Sequence, residues 1–204
     1  MNEVLAEEML VIMAVASVIL LGVLLMTSQA YAEVIVLIIT FIAAALLNMG
    51  TNFIFGEISF VSNSVTVVLQ LALAIDYAII MCHRFSEERA MHDNREACIL
   101  ALSKAIPEIA SSSLTTISGM AALMFMQFGL GADMGKVLIK AILFSLLSVF
   151  TLMPGLLMLF TRALDKTKHR NYIPRIDFWG KITVKLRYVV PPLFIIVVIA
   201  SFIL

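Results

Sequence analysis

The chain is poor in charge. Only 14% of its 204 residues are Asp, Glu, Lys or Arg, and fourteen cationic side chains cancel fourteen anionic ones to a formal charge of zero. No electrostatic footprint for a polyanion is left, which excludes a nucleic-acid partner. Cysteine is as scarce. Cys82 and Cys98 form neither a CxxC pair nor a disulfide framework and are expected as free thiols. The three histidines, His83, His92 and His169, lack metal-ligand spacing and read as solvated surface residues. Basic residues are missing ahead of the first apolar run, where Glu3, Glu7 and Glu8 stand instead, so no cleavable leader is expected. In excess is hydrocarbon: 62% of the residues are hydrophobic and the mean hydropathy is +1.05, the composition of a membrane protein.

Apolar windows long enough to cross a ~30 Å hydrocarbon core recur at about 9–28, 34–50, 65–83, 107–128, 136–160 and 189–204. They are apolar on all sides and show no period of two, so barrel strands are excluded and helices remain. The expectation is an all-α, polytopic membrane helix bundle with six spans and no extramembrane domain. A bundle over 1–165, a basic linker over 166–188 and the start of a further helix over 189–204 divide it.

Twelve of the fourteen Lys and Arg fall in 84–104 and 161–188, whereas 1–8, 51–64 and 129–135 contain none. The basic side is expected to be cytoplasmic, which puts the N-terminus outside. Lys136 and Lys140, at the outer end of the fifth span, are then placed to snorkel toward the headgroups. Asn48, Gly50, Asn52 and Gly56 are expected to break the chain after the second span, and Gly129-Leu130-Gly131 after the fourth. Pro107 suits the first turn of the fourth span, with Glu108 facing its positive end. Residues 94–105 read as an interfacial elbow, and Pro154-Gly155 predicts a kink.

One acidic residue, Asp76, falls deep inside a span. A charge at mid-bilayer costs several kcal/mol (about 3 on insertion scales), so it is expected to face protein or water and to act. Burial raises a carboxyl pKa, which suits a group that takes and gives a proton near neutral pH. The plainer alternative is a permanent hydrogen bond that fixes packing. Tyr77 lies about 100° further around the helix and is expected to bond elsewhere. Ala72, Ala74 and Ala78 allow a neighbouring helix to approach. In Ser111-Ser-Ser-Leu-Thr-Thr-Ile-Ser118-Gly119 six hydroxyls occupy eight positions. About half are expected to bond back to their own helix, while Ser113 and Thr116 can offer hydroxyls to Asp76. Gly129-Leu-Gly131-Ala-Asp133 looks like an aspartyl-protease signature but carries an extra residue, and the second intramembrane acid is missing. An enzyme is not expected.

The run Ala74-Ile75-Asp76-Tyr77-Ala78, followed by His83-Arg84-Phe85-Ser86-Glu87-Glu88-Arg89 and Arg95-Glu96-Ala97, resembles the MMPL-type transporters of the RND superfamily. The likeness extends through Ser111–Gly119 and Thr151-Leu-Met-Pro154-Gly155, covering about residues 9–165. It implies a chain of twelve transmembrane helices in two halves, each half with an extracytoplasmic domain. In such a chain proton flow through central Asp-Tyr pairs drives export of lipids or other hydrophobic molecules across a bacterial cytoplasmic membrane. Carried over, Asp76 is the proton carrier, Tyr77 its companion, and Ser113, with Thr116, the relay hydroxyls. The resemblance implies no cofactor beyond the proton gradient. Its partners are the lipid bilayer, a lipid substrate, and a missing second half or another copy. The 204 residues are expected to be a fragment, helices two to seven by family count. The competing expectation is a lipid- or sterol-sensing module, or a protein-export auxiliary of the same superfamily.

Overall fold

In the computed structural model the described residues are 2–55, 58, 60–126, 129–169, 182, 185, 186 and 188–203. The helices are α1 (Asn2–Thr27), α2 (Tyr31–Gly50), α3 (Phe60–Glu88), α4 (Asn94–Leu123), α5 (Gly129–Leu147), α6 (Met153–Leu159), α7 (Thr161–Lys166) and α8 (Val190–Ile203). A 3₁₀ turn, Asn52–Phe55, follows α2, and a π turn, Ser148–Leu152, joins α5 to α6. The chain divides into two compact units, Met1–Asn171 and Tyr172–Leu204, and α8 belongs to the second.

The all-α, polytopic membrane architecture is therefore as the composition dictates. Of the six expected spans, Tyr31–Ile54, Ser62–Glu88, Asn94–Leu123 and Gly131–Leu159 are long and apolar enough to cross a bilayer. The first expected span falls on α1, with a described apolar stretch of Ala14–Thr27, and the last on α8. Gly56 and much of the basic 166–188 segment lie outside the described residues.

Lipid tails are as apolar as leucine, so apolar burial alone cannot hold these helices together. Close packing and interhelical hydrogen bonds must. Within the first unit α3 packs most extensively on α4 and α5. Small residues make this contact possible: Ala74 and Ala78 on α3, Ala97, Ala101 and Ala105 on α4, and Ala141 on α5 are all buried. A side chain at Gly135 of α5 would put its Cβ 2.8 Å from the Met120 carbonyl oxygen and 2.9 Å from Met124 Cγ, so glycine sets how near α5 approaches α4. Gly131 and Gly135 thus sit on a helix in small-xxx-small spacing. The expected break at 129–131 is not there, and the signature-like Gly129–Asp133 run is the helix's first turn and a half.

Directional bonds complete the assembly. Gln70 of α3 accepts from Asn48 Nδ2 of α2 at 2.9 Å, and its own amide nitrogen reaches the Ala44 carbonyl at 3.1 Å and Ser145 Oγ of α5 at 3.3 Å. One turn from Ala44, Lys140 is buried, donating to the Asn48 carbonyl at 2.8 Å and to Asn52 Oδ1. The expected snorkelling of Lys140 is thereby overturned: carbonyls freed at the C-terminal end of α2 attract the ammonium more closely than the headgroup region does. Lys136 is exposed.

Two prolines behave differently from the sequence expectation. Asp93 caps α4, accepting from Glu96 N at 3.1 Å, so the helix starts at Asn94 and runs through Pro107 without a separate elbow. Pro107 is consequently an interior residue, and Glu108 does not face a helix N-terminus. At Pro154 the distortion lies one turn earlier, where the π turn widens the helix ahead of the ring.

The basic end is tied by ion pairs and by a short β-bridge between Ala30 and Lys168. Glu33 folds back to accept from Gln29 N at 2.6 Å and Ala30 N at 3.3 Å, satisfying amides ahead of α2. Arg89 grips both oxygens of Asp165 at 2.8 and 3.0 Å while its Nε donates to Asn94 at 2.9 Å. Buried Glu88 pairs with Lys104. Cys82 and Cys98 are free thiols, as expected, and both are buried. His83 is exposed, but His92 is half-buried beside Glu88, and the half-buried His169 ring lies 4.7 Å from that of Tyr31. The surface reading holds for His83 alone.

Two outcomes are expected. Gly135→Leu drives a side chain into the α4 backbone and lowers stability by about 1–3 kcal/mol, as overpacking does. Gly155→Ala, with nothing within 4 Å, leaves it unchanged or raises it. Unfolding in detergent followed by circular dichroism measures both, and equal effects would remove the close-approach argument. Second, the Arg89 hydrogen bond holds the Asp165 carboxyl below the usual carboxylate range. A depressed folded pKa adds stability above the unfolded value of about 3.9, and that stability is lost as pH falls through the folded value. Asp165→Asn should flatten this acid limb in melting curves taken at pH about 5 and below; an unaltered limb assigns the acid sensitivity elsewhere.

Candidate functional site

Asp76 lies sixteen residues into α3 and twelve from its end, so about 24 and 18 Å of helix flank it. Its side chain is exposed on the outside of the bundle, in a stripe with Leu69, Ala72, His83 and Glu87. The rotation of α3 explains this. Gln70 must point inward to reach α2 and α5, and six residues later the helix has turned about 120° away from that direction. Among the described residues no hydrogen bond or ion pair reaches the carboxyl.

Tyr77, the next residue, points the other way and is buried, with Ala74 and Ala78 beside it in the core. Its hydroxyl interacts with Thr116 of α4 without closing a hydrogen bond among the described residues. Asp76 and Tyr77 thus point to different sides of α3, and neither side chain closes a hydrogen bond among the described residues. Of the expected relay residues, then, Tyr77 and Thr116 come together, whereas Ser113 is buried and donates to its own Ala110 carbonyl at 3.0 Å.

Back-bonding in α4 exceeds the half expected. Ser111, Ser113, Thr115, Thr116 and Ser118 all donate to carbonyls three or four residues earlier, at 2.8–3.2 Å. For Ser111, Thr115 and Ser118 the reason is that they face out of the bundle, where no described neighbour competes for their protons. Each hydroxyl oxygen keeps a lone pair available. Because α3 and α4 are antiparallel and Arg84 meets Glu108, eight residues up each helix brings Asp76 level with Thr116, about 12 Å above the ion pair. One carboxyl and a band of hydroxyls therefore share a single outward face at mid-helix.

Charges mark the foot of that face. Arg84 donates through Nε and Nη2 to Glu108 Oε2 at 3.2 and 2.9 Å, and through Nη1 to Glu87 at 3.1 Å. The sequence reading missed this pair because it placed Glu108 at a helix start. It also missed the inward cluster of Asn48, Gln70, Lys140 and Ser145. Its signal was present as three amide or amine side chains inside apolar windows, but spacing alone does not tell which of them meet.

Comparison with known proteins agrees with the architecture. The family model described as the MMPL family matches residues 1–190. Two curated relatives come from Streptomyces coelicolor. The membrane protein ActII-3 is 36% identical over 99 residues, which is 48% of this chain and 14% of the relative. The membrane protein SCO6666 is 32% identical over 115 residues, 56% of this chain and 16% of the relative. The chain thus matches less than a fifth of the length of either. No solved structure matches. With the family model spanning nearly all of a helical membrane chain, the protein belongs to the MMPL family.

Proposed function

We propose that the chain is the transmembrane part of a proton-motive-force-driven exporter of lipids or other hydrophobic molecules. Membership of the MMPL family points to RND-type membrane transport or a related function rather than to an enzyme. The observation that carries the finer reading is the outward Asp76 carboxyl at mid-helix with the hydroxyl band level with it. Facing lipid, such a group costs a few kcal/mol (about 3 on insertion scales). In the assembled protein a polar surface covers it, supplied by a second transmembrane half or by another copy of the chain. Enclosed there, the carboxyl is desolvated and poised to bind a proton, which is released when the facing surface moves.

In this scheme Asp76 carries the proton, Tyr77 and Thr116 form the inward branch of the relay with Ser113 behind them, and the Arg84–Glu108 pair stands at the basic, cytoplasmic mouth. The proton gradient across a bacterial cytoplasmic membrane supplies the energy, and no further cofactor takes part. A proton cycle needs a group that can exist in both ionisation states at one place, and Asp76, sixteen residues into α3 and twelve from its end, is such a group.

Replacement of Asp76 by Asn keeps size and hydrogen bonding but removes titration. In the full-length protein Asp76→Asn is expected to abolish export from proton-loaded vesicles while membrane insertion and expression stay normal. Export continuing at the parental rate, with the same dependence on the imposed pH gradient, would eliminate the proton role and leave a sensing module as the better account.

A further inference from the structure

The basic end of the first unit carries more positive charge than its own acids neutralise. Residues 161–188 hold eight Lys and Arg against Asp165 and Asp177. Among the described cations at this end, Arg84, Arg89 and Lys104 are each committed to a carboxylate of the bundle. Arg162 and Lys166 of α7 are not. Both are exposed, and neither makes an ion pair among the described residues. The acid between them, Asp165, is already gripped through both oxygens by Arg89, which leaves Lys168 a longer contact at 3.4 Å.

Position decides what meets these charges. The apolar span Gly131–Leu159 ends three residues before Arg162, and its last residues, Met158 and Leu159, are exposed. At ~1.5 Å per residue, Arg162, Lys166 and Lys168 follow that end by about 5 to 14 Å of chain. A span that crosses the ~30 Å hydrocarbon core delivers such residues into the headgroup layer, where long basic side chains reach along the surface. The three cations are also held in place before any ligand arrives. Arg162 and Lys166, four apart, share one face of α7. The Arg89–Asp165 pair pins that helix, Thr167 Oγ1 accepts from Ala32 N of α2 at 3.1 Å, and Lys168 forms the β-bridge with Ala30. A fixed set of cations loses less freedom on binding than a flexible tail does. A guanidinium fork beside an ammonium point charge is the pairing that phosphate oxygens accept.

We propose that Arg162, Lys166 and Lys168 form a headgroup site for an anionic phospholipid of the surrounding bilayer, with its phosphate on the face that Arg162 and Lys166 share. Charge selects the lipid class. A zwitterionic headgroup brings a cation of its own that the site repels, whereas phosphatidylglycerol brings net negative charge alone. The site stands apart from the proton scheme.

In the experiment the full-length protein is titrated in detergent with phosphatidylglycerol or phosphatidylcholine, and native mass spectrometry counts the lipid retained. Arg162→Gln and Lys166→Gln are each expected to weaken phosphatidylglycerol retention about fivefold, the factor that ~1 kcal/mol per basic residue at an anionic surface produces. Phosphatidylcholine retention stays as in the parent. Arg162→Lys, which keeps the charge, retains most of the binding, and Arg95→Gln, at an exposed cation of α4, leaves it unchanged. Circular dichroism verifies that each variant folds. Folded Arg162→Gln and Lys166→Gln proteins that hold phosphatidylglycerol as the parent does overturn the proposal. An equal loss in Arg95→Gln also overturns it, since the attraction is then a diffuse field rather than a site. So does displacement of the lipid by an equal concentration of inorganic phosphate, which assigns the site to a soluble anion. Zero-length carbodiimide coupling of Lys166 to a carboxylate elsewhere in the protein overturns it as well, because an acidic segment then covers the cations.

Discussion

The Gln70 side chain fixes the rotation of α3, and most of what is distinctive here follows from that. At a depth where water cannot stand in for a lost partner, its amide engages Asn48 and the Ala44 carbonyl on α2 and Ser145 on α5. Turning α3 to any other angle would leave those groups unsatisfied in hydrocarbon. With Gln70 inward, Tyr77 must enter the core and Asp76 must leave it. The protein thereby presents an ionisable group on its flank.

Around this helix polar groups fall into three sets with separate tasks. The inward amides and Lys140 join α2, α3 and α5. The ion pairs of Arg84, Glu88, Arg89 and Asp165 tie the basic end, where α3, α4 and α7 meet. The outward band of Asp76 and the α4 hydroxyls has its own internal satisfaction through back-bonding, but its carboxyl makes no bond to the rest of the described bundle. Apolar packing fills the intervals between these sets.

Much of this was legible before any coordinates. The helical membrane class, with four membrane-length apolar helices among the described residues, followed from hydropathy, because no other structure satisfies backbone polar groups in a bilayer. The prominence of Asp76 followed from the cost of a carboxyl at that depth, and its divergence from Tyr77 from 100° per residue. Other readings failed for identifiable reasons. Pro107 was taken to open a helix, but the stronger Asp93 cap fourteen residues before the ring decides where α4 starts. The glycines at 129 and 131 suggested a loop, yet a glycine that admits a neighbouring helix looks the same in sequence as one that breaks a helix. Lys140 was expected to seek headgroups because the Asn48 carbonyl of α2 that it reaches lies 92 residues away along the chain.

By itself, then, the sequence determined that this is a bundle of apolar helices of membrane-spanning length with an aspartate well inside one of them, since composition and span length admit no other solution. Which way that residue faces, which hydroxyl meets Tyr77, and where Lys140 places its charge were decided only in the tertiary structure. Those outcomes depend on helix rotation, and rotation is set by partners such as Asn48, Gln70 and Ser145 that are distant in sequence and brought together only by packing.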